Sequence, residues 1–176
     1  MKRLIIPLIL FLFVVLEGVA IDLLPNRFII NDFLIVPHWV FIMLALVSIY
    51  YDTYDTLYAV IYGVIFGLLI DIVYTNILGV YMFAYPLAIY MIHILKRYFI
   101  TNFILTMIMT MIGLLVVEWF IVFTYTLTGS IHIIVDSIFI DRILPTTIAN
   151  MVFLLLMYPV FKPTFLRWQK ESLGDF

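Results

Sequence analysis

Four carboxylates stand inside long apolar runs of this 176-residue chain: Glu17, Asp22, Asp71 and Glu118. An ionised side chain in lipid costs about 2.5–3.5 kcal/mol on insertion scales, so each needs an internal partner or a protein neighbour. Glu118 lies half-way along its run, at the most expensive depth. It reads as a protonated carboxyl bonded to a Thr or Tyr, or as a group facing a partner helix. A proton relay would need a chain of polar neighbours, and only Thr110, Thr124, Tyr125 and Thr126 are near in sequence. Glu17 and Asp22 read as structural or interfacial carboxylates. Asp71 ends a stripe of Ala59, Gly63 and Gly67, one residue in four and therefore on one helix face. Small residues at this spacing let another backbone approach closely. A carboxylate at the end of the stripe, just before Asn76 and Gly79, can close the crossing by bonding backbone or hydroxyl groups across it. Plain internal packing explains the stripe equally well.

Other chemistry has little to work with. His38, His93 and His132 fall at different levels of the chain and form no H-E-x-x-H or two-His-carboxylate spacing, so no metal site is expected. There are no cysteines, which removes disulfides, iron–sulfur clusters and thiolate zinc sites. No P-loop or G-x-G-x-x-G occurs. Ser48, Ser130, Ser137 and Ser172 lack a histidine at matching depth, and the carboxylates and arginines do not cluster. No catalytic residue and no cofactor are expected. Lys plus Arg number 9 against 11 Asp plus Glu, and without a basic tract nucleic acid is not an expected partner. What remains is contact, with another membrane protein or with a small ligand.

The elements that must position these groups are helices in a membrane. The chain is 66% hydrophobic and 11% charged, with a mean hydropathy of +1.24, whereas a soluble domain carries about 25% charged residues. Six spans are predicted, at about 4–24, 33–51, 56–74, 77–95, 103–127 and 143–161. Each can cross a hydrocarbon core of roughly 30 Å, and in lipid each must be helical. Only Thr75-Asn76 separates the third span from the fourth, so a single broken hairpin is the alternative there. Lys2-Arg3 with Gly18-Val19-Ala20 resembles a signal peptide, but the apolar run continues to Leu24, as in a retained helix. Six spans put both termini on one side, with Lys2, Arg3, Lys96, Arg97, Lys162, Arg167 and Lys170. Arg27 and Arg142 are left on the other. The positive-inside rule makes the first side cytoplasmic. Tyr51–Asp55 then forms a solvated cytoplasmic turn, and His38, Trp39, Tyr50, Tyr51, Tyr54 and Trp168 form an aromatic belt. In the outer loop, Ile131, Ile134, Val135 and Ile138 repeat at helical spacing. This reads as an amphipathic helix on the surface or as a loop capping the bundle. The tail from Lys162 is short and polar. The expected fold is a single all-α integral membrane domain, a six-helix bundle over residues 1–176.

The layout, the opening Met1-Lys2-Arg3, a first span ending in Glu17 and Asp22, and Gly63-Val64-Ile65-Phe66-Gly67-Leu68-Leu69-Ile70-Asp71 followed by Gly79 together resemble the MreD family of rod shape-determining proteins, in its Gram-positive form. The resemblance implies a non-enzymatic, multi-pass protein of the cytoplasmic membrane, acting in the elongation machinery that directs lateral peptidoglycan synthesis. It implies association with MreC, a single-span protein, and indirectly with MreB, a RodA-type polymerase and a class B penicillin-binding protein. It also implies a fold similar to the substrate-binding subunits of energy-coupling factor transporters. That likeness supplies the rival, a vitamin-binding membrane subunit. Asp22, Asn31, Asp32, Asp71, Asn76, His132 and Asp136 in the outer half keep a polar pocket in view. The aliphatic and aromatic interior suits membrane lipid or a partner helix better. A scaffold ranks first, a ligand-binding subunit second and a proton-coupled carrier third.

Overall fold

The computed structural model describes residues 4–23, 34–75, 77–129 and 138–174, and among these there is no strand. Six helices follow one another: α1 (Ile5–Leu23), α2 (Trp39–Tyr50), α3 (Tyr58–Tyr74), α4 (Val80–Leu95), α5 (Phe103–Leu127) and α6 (Leu144–Gly174). A π-helical turn, Phe139–Ile143, leads directly into α6. Two helices are long and apolar enough to cross a membrane: α5, with 25 residues, and the 36-residue continuous helix formed by the π turn and α6. The outward faces of α1, α3 and α4 carry large apolar side chains such as Phe11, Ile65 and Phe83, all more than half exposed. Such surface suits lipid rather than water.

Helix α2 is the centre. Its sequence is apolar on every side except at Ser48, so every face can pack against another helix. Every residue from Val40 to Tyr50 is buried, and α2 touches all five other helices. It is also short: 12 residues give about 18 Å, well under a bilayer's thickness. The sequence predicts a span from 33, yet residues 34–38 lie outside any helix. Pro37 is the cause. It has no N–H to give a helix and holds Val36 in the extended region.

Helices α3 and α4 make the most intimate pair. A Cβ on Gly63 would lie 3.3 Å from the Pro86 backbone, and one on Gly67 would lie 2.5 Å from the Tyr81 carbonyl oxygen. The stripe read from the sequence therefore faces α4 of the same chain. Between the helices, Gly79 takes a φ of +100°, a left-handed conformation natural only to glycine.

The last helix departs most from the sequence reading. The polar stretch after Phe161 is helical to Gly174, where a short separate tail is predicted. Pro159 and Pro163 suggest a stop, but the buried stripe Leu154, Tyr158 and Phe165 continues through them, and packing outweighs the lost hydrogen bonds.

Gly67→Leu should force the α3 and α4 backbones apart and lower stability by about 3 kcal/mol. Gly174→Leu, where a Cβ meets nothing within 4 Å, should leave stability unchanged. Thermal unfolding in detergent compares the two, and equal midpoints would show that the close crossing is dispensable.

Candidate functional site

The break at Pro37 leaves backbone groups of residues 34–38 without helical partners, and α6 supplies them. Thr146 Oγ1 accepts from Val36 N at 3.1 Å and donates to the Leu34 carbonyl at 3.2 Å. Asn150 accepts from His38 N at 2.7 Å and donates to the Val36 carbonyl at 2.8 Å. Leu34 N donates to the Asp141 carbonyl at 2.7 Å. That carbonyl is available because Pro145, four residues on, has no N–H to offer it. The π turn and the proline together expose one acceptor to the extended segment.

His38 begins α2 and is wholly buried. Its Nε2 lies 2.6 Å from Glu118 Oε1 on α5, and its Nδ1 lies 2.9 Å from the Tyr85 hydroxyl on α4. The other Glu118 oxygen accepts from Arg142 Nε, in the π turn, at 3.0 Å. The three side chains join the entrance of α2, the middle of α5 and the root of α6. Glu118 thus meets a guanidinium on one oxygen and the His38 ring on the other, and the second ring nitrogen meets the Tyr85 hydroxyl. Sequence reading placed His38 and Arg142 outside and gave Glu118 a Thr or Tyr. It missed this cluster because the three residues are separated by 80 and 24 positions. Pro37 was the usable signal, since a break inside a span calls for polar partners.

Two of the other carboxylates meet helix N-termini. Glu17 Oε1 accepts from Val40 N, in the first turn of α2, at 2.7 Å. Asp71 is fully buried and accepts from Gly79, Tyr81 and Met82 N at 2.9–3.0 Å, at the start of α4. Both place carboxyl oxygens where a helix presents free N–H groups. Ala59, Gly63 and Gly67 lie beside Asp71 on the buried face of α3. Ile138 is partly buried and leads into the π turn. Ile131, Ile134, Val135 and the side chain of Asp22 lie outside the described residues. Trp39, read as an interfacial aromatic, stacks on Phe153 with ring centroids 4.9 Å apart.

At the opposite end of α2 the turn read as solvated is buried at Tyr51 and Asp52 and exposed at Tyr54 and Asp55. Asp52 is 2% exposed and caps α3 by accepting from Ala59 N at 2.9 Å. Lys96, at the end of α4, donates to the Ser48 and Asp52 carbonyls at the C-terminus of α2, where a cation suits the dipole. Burial pushes the Asp52 carboxyl up to about 6, against bonding from Ala59 and the charge of Lys96. Burial likewise pushes Lys96 down to about 8, partly offset by the charge of Asp52. Among the described residues no three His, Asp or Glu side chains converge as metal ligands.

A family model for rod shape-determining protein MreD matches residues 2–167. The chain belongs to the MreD family. The rod shape-determining protein MreD of Bacillus subtilis (strain 168) is 26% identical over 171 residues, covering 97% of this chain and 98% of the relative. No solved structure shows a significant match. Membership makes this a membrane protein with a role in determining rod shape.

Two outcomes are expected. Glu118→Ala strands a buried His38 and Arg142 and should cost about 3–5 kcal/mol, while Glu118→Gln keeps an acceptor and should cost less. Equal thermal midpoints for wild type and both variants would remove Glu118 from the framework. For Asp52, the folded state holds its proton more tightly than the unfolded one between 3.8 and about 6. Its stabilising contribution is therefore complete below 3.8 and lost as pH rises through about 6. Asp52→Asn should abolish that fall in a pH series of thermal midpoints, and a series parallel to wild type would contradict the burial argument.

Proposed function

We propose that the chain is a non-enzymatic, six-span scaffold of the cytoplasmic membrane with both termini in the cytoplasm. It binds MreC and so helps position lateral peptidoglycan synthesis within the rod complex, in company with MreB filaments, a RodA-type polymerase and a class B penicillin-binding protein. The observation that carries this reading is where the polar groups sit. In the interior Glu17, Asp71, Thr146, Asn150 and Lys96 hold the chain's own backbone and His38, Glu118 and Arg142 hold one another, while the outward faces are apolar helix. Partner helices in lipid gain little from hydrophobicity and associate by close packing, so these outward faces are the surface available to them. On α3 the stripe of small residues is occupied by α4, and the opposite face offers Ile61, Ile65 and Ile72, each more than half exposed.

Photo-crosslinkers at Ile65 and Ile72, and at Thr128 and Ile138 flanking the outer loop, should capture a single-span protein in cells. Crosslinkers at Gly63 should capture none. A purified chain that carries a stoichiometric vitamin in its mass spectrum, and yields no crosslinked membrane protein, would replace the scaffold with a ligand-binding subunit.

A further inference from the structure

At the C-terminal end of α2 there is a cavity of about 650 Å³, walled by the 52–54 turn, the turn from Lys96 to Thr101 and the last part of α6. It lies at the level where α2 and α4 both end, which in a membrane-crossing bundle is the headgroup layer. Two cations line it, Lys96 and Arg97. Lys96 is 5% exposed, an unusual depth for an ammonium group. Its Nζ has three N–H groups, and two are given to the Ser48 and Asp52 carbonyls. Arg97 uses one terminal nitrogen, Nη2, on the Tyr54 carbonyl and His93 Nε2, while a guanidinium offers five donors in a fork that fits phosphate. The carboxylate of the lining, Asp52, has its oxygens on Ala59 N and the Thr56 hydroxyl.

The rest of the wall is mixed. Ile49, Phe99, Leu166 and Leu173 form its apolar part and Thr53, Thr101 and Gln169 its polar part, and on the same lining Tyr98 and Ile100 are 77% and 92% exposed. A buried ammonium and an exposed guanidinium beside a partly apolar wall match an amphiphile that is negative at one end. The apolar part of the wall offers a soluble anion nothing to bind.

We propose that this cavity binds the phosphate headgroup of an anionic phospholipid, Lys96 and Arg97 holding the phosphate and Phe99, Leu166 and Leu173 the start of an acyl chain. Basic pockets between helices at the membrane surface bind such headgroups. This inference is independent of which protein partners the scaffold engages.

The test uses the full chain in nanodiscs of equal phosphatidylglycerol and phosphatidylcholine, released into detergent and weighed by native mass spectrometry. Retention of about one phosphatidylglycerol per chain in preference to phosphatidylcholine is expected. Arg97→Gln should cut that retention about fivefold, the effect of one surface cation, and Arg97→Lys should restore most of it. Lys96→Gln should also cut it. If that variant unfolds, Arg97→Gln carries the test alone, since Arg97 is exposed and its removal leaves the α2 cap intact. Equal retention of both lipids, or of phosphatidylglycerol by wild type and Arg97→Gln, overturns the proposal. So does inorganic phosphate that binds without any lipid preference, which would mark a free-phosphate site. Displacement of the lipid by an acidic peptide at lower concentration than by phosphatidylglycerol vesicles would overturn it in favour of a protein ligand.

Discussion

Everything in this bundle answers to one demand: a chain break inside an apolar interior must have each freed backbone N–H and C=O satisfied by protein, because no water is present to do it. Pro37 makes the break. Thr146 and Asn150 answer for the extended segment, the Asp141 carbonyl accepts from Leu34, and Glu17 takes the first turn of α2. Leaving one such group unpaired costs roughly 1–3 kcal/mol. Several together would exceed the stability margin of an ordinary domain. The break is therefore possible only because α6 runs alongside it with the right side chains one helical turn apart.

The same reasoning explains why carboxylates persist where they are expensive. Glu17, Asp52 and Asp71 each come from the helix or turn just before the N-terminus they cap. Charge-assisted bonds are about twice as strong as neutral ones. Asp71, with three of them, offsets an insertion penalty that a single neutral cap could not. The contrast is Asn102, which caps α5 by accepting from Leu105 N at 2.8 Å in an exposed turn. Where water is near, a neutral amide suffices. Glu118 differs again. It faces no helix end and is held by Arg142 and His38, so its role is to tie three elements together.

How legible this was depends on the range of the interaction. The helical class, the family and the small-residue stripe before Asp71 follow from local spacing and hydropathy, which act within one or two turns. Helix α6 beyond Phe161 was hidden because hydropathy reports lipid contact and not helicity. The burial of Asp52 was hidden because five residues rich in Asp, Thr and Tyr look solvated unless the cation folded over the first of them is known. Lys96 comes 44 residues later. The His38, Glu118 and Arg142 cluster is the extreme case. Each residue has an ordinary reading in its own segment, and only the tertiary arrangement converts three unrelated polar residues into one balanced site.

The short helix α2 also bears on how such a molecule works. Its entrance is bonded to α1 through Glu17, to α4 through Tyr85, to α5 through Glu118 and to α6 through Asn150, and its far end is held by Lys96. A shift of α2 along its axis would break all of these at once, with no water to replace them. Motion of the core is thus expensive, while the apolar outer faces carry no comparable constraint. Arg142 adds a connection, for it follows directly on the outer loop and ends on Glu118. A displacement of the π turn therefore acts on a residue anchored in the centre of the bundle, and the stiff core carries it to the Asp52 and Lys96 end, about 18 Å away along α2.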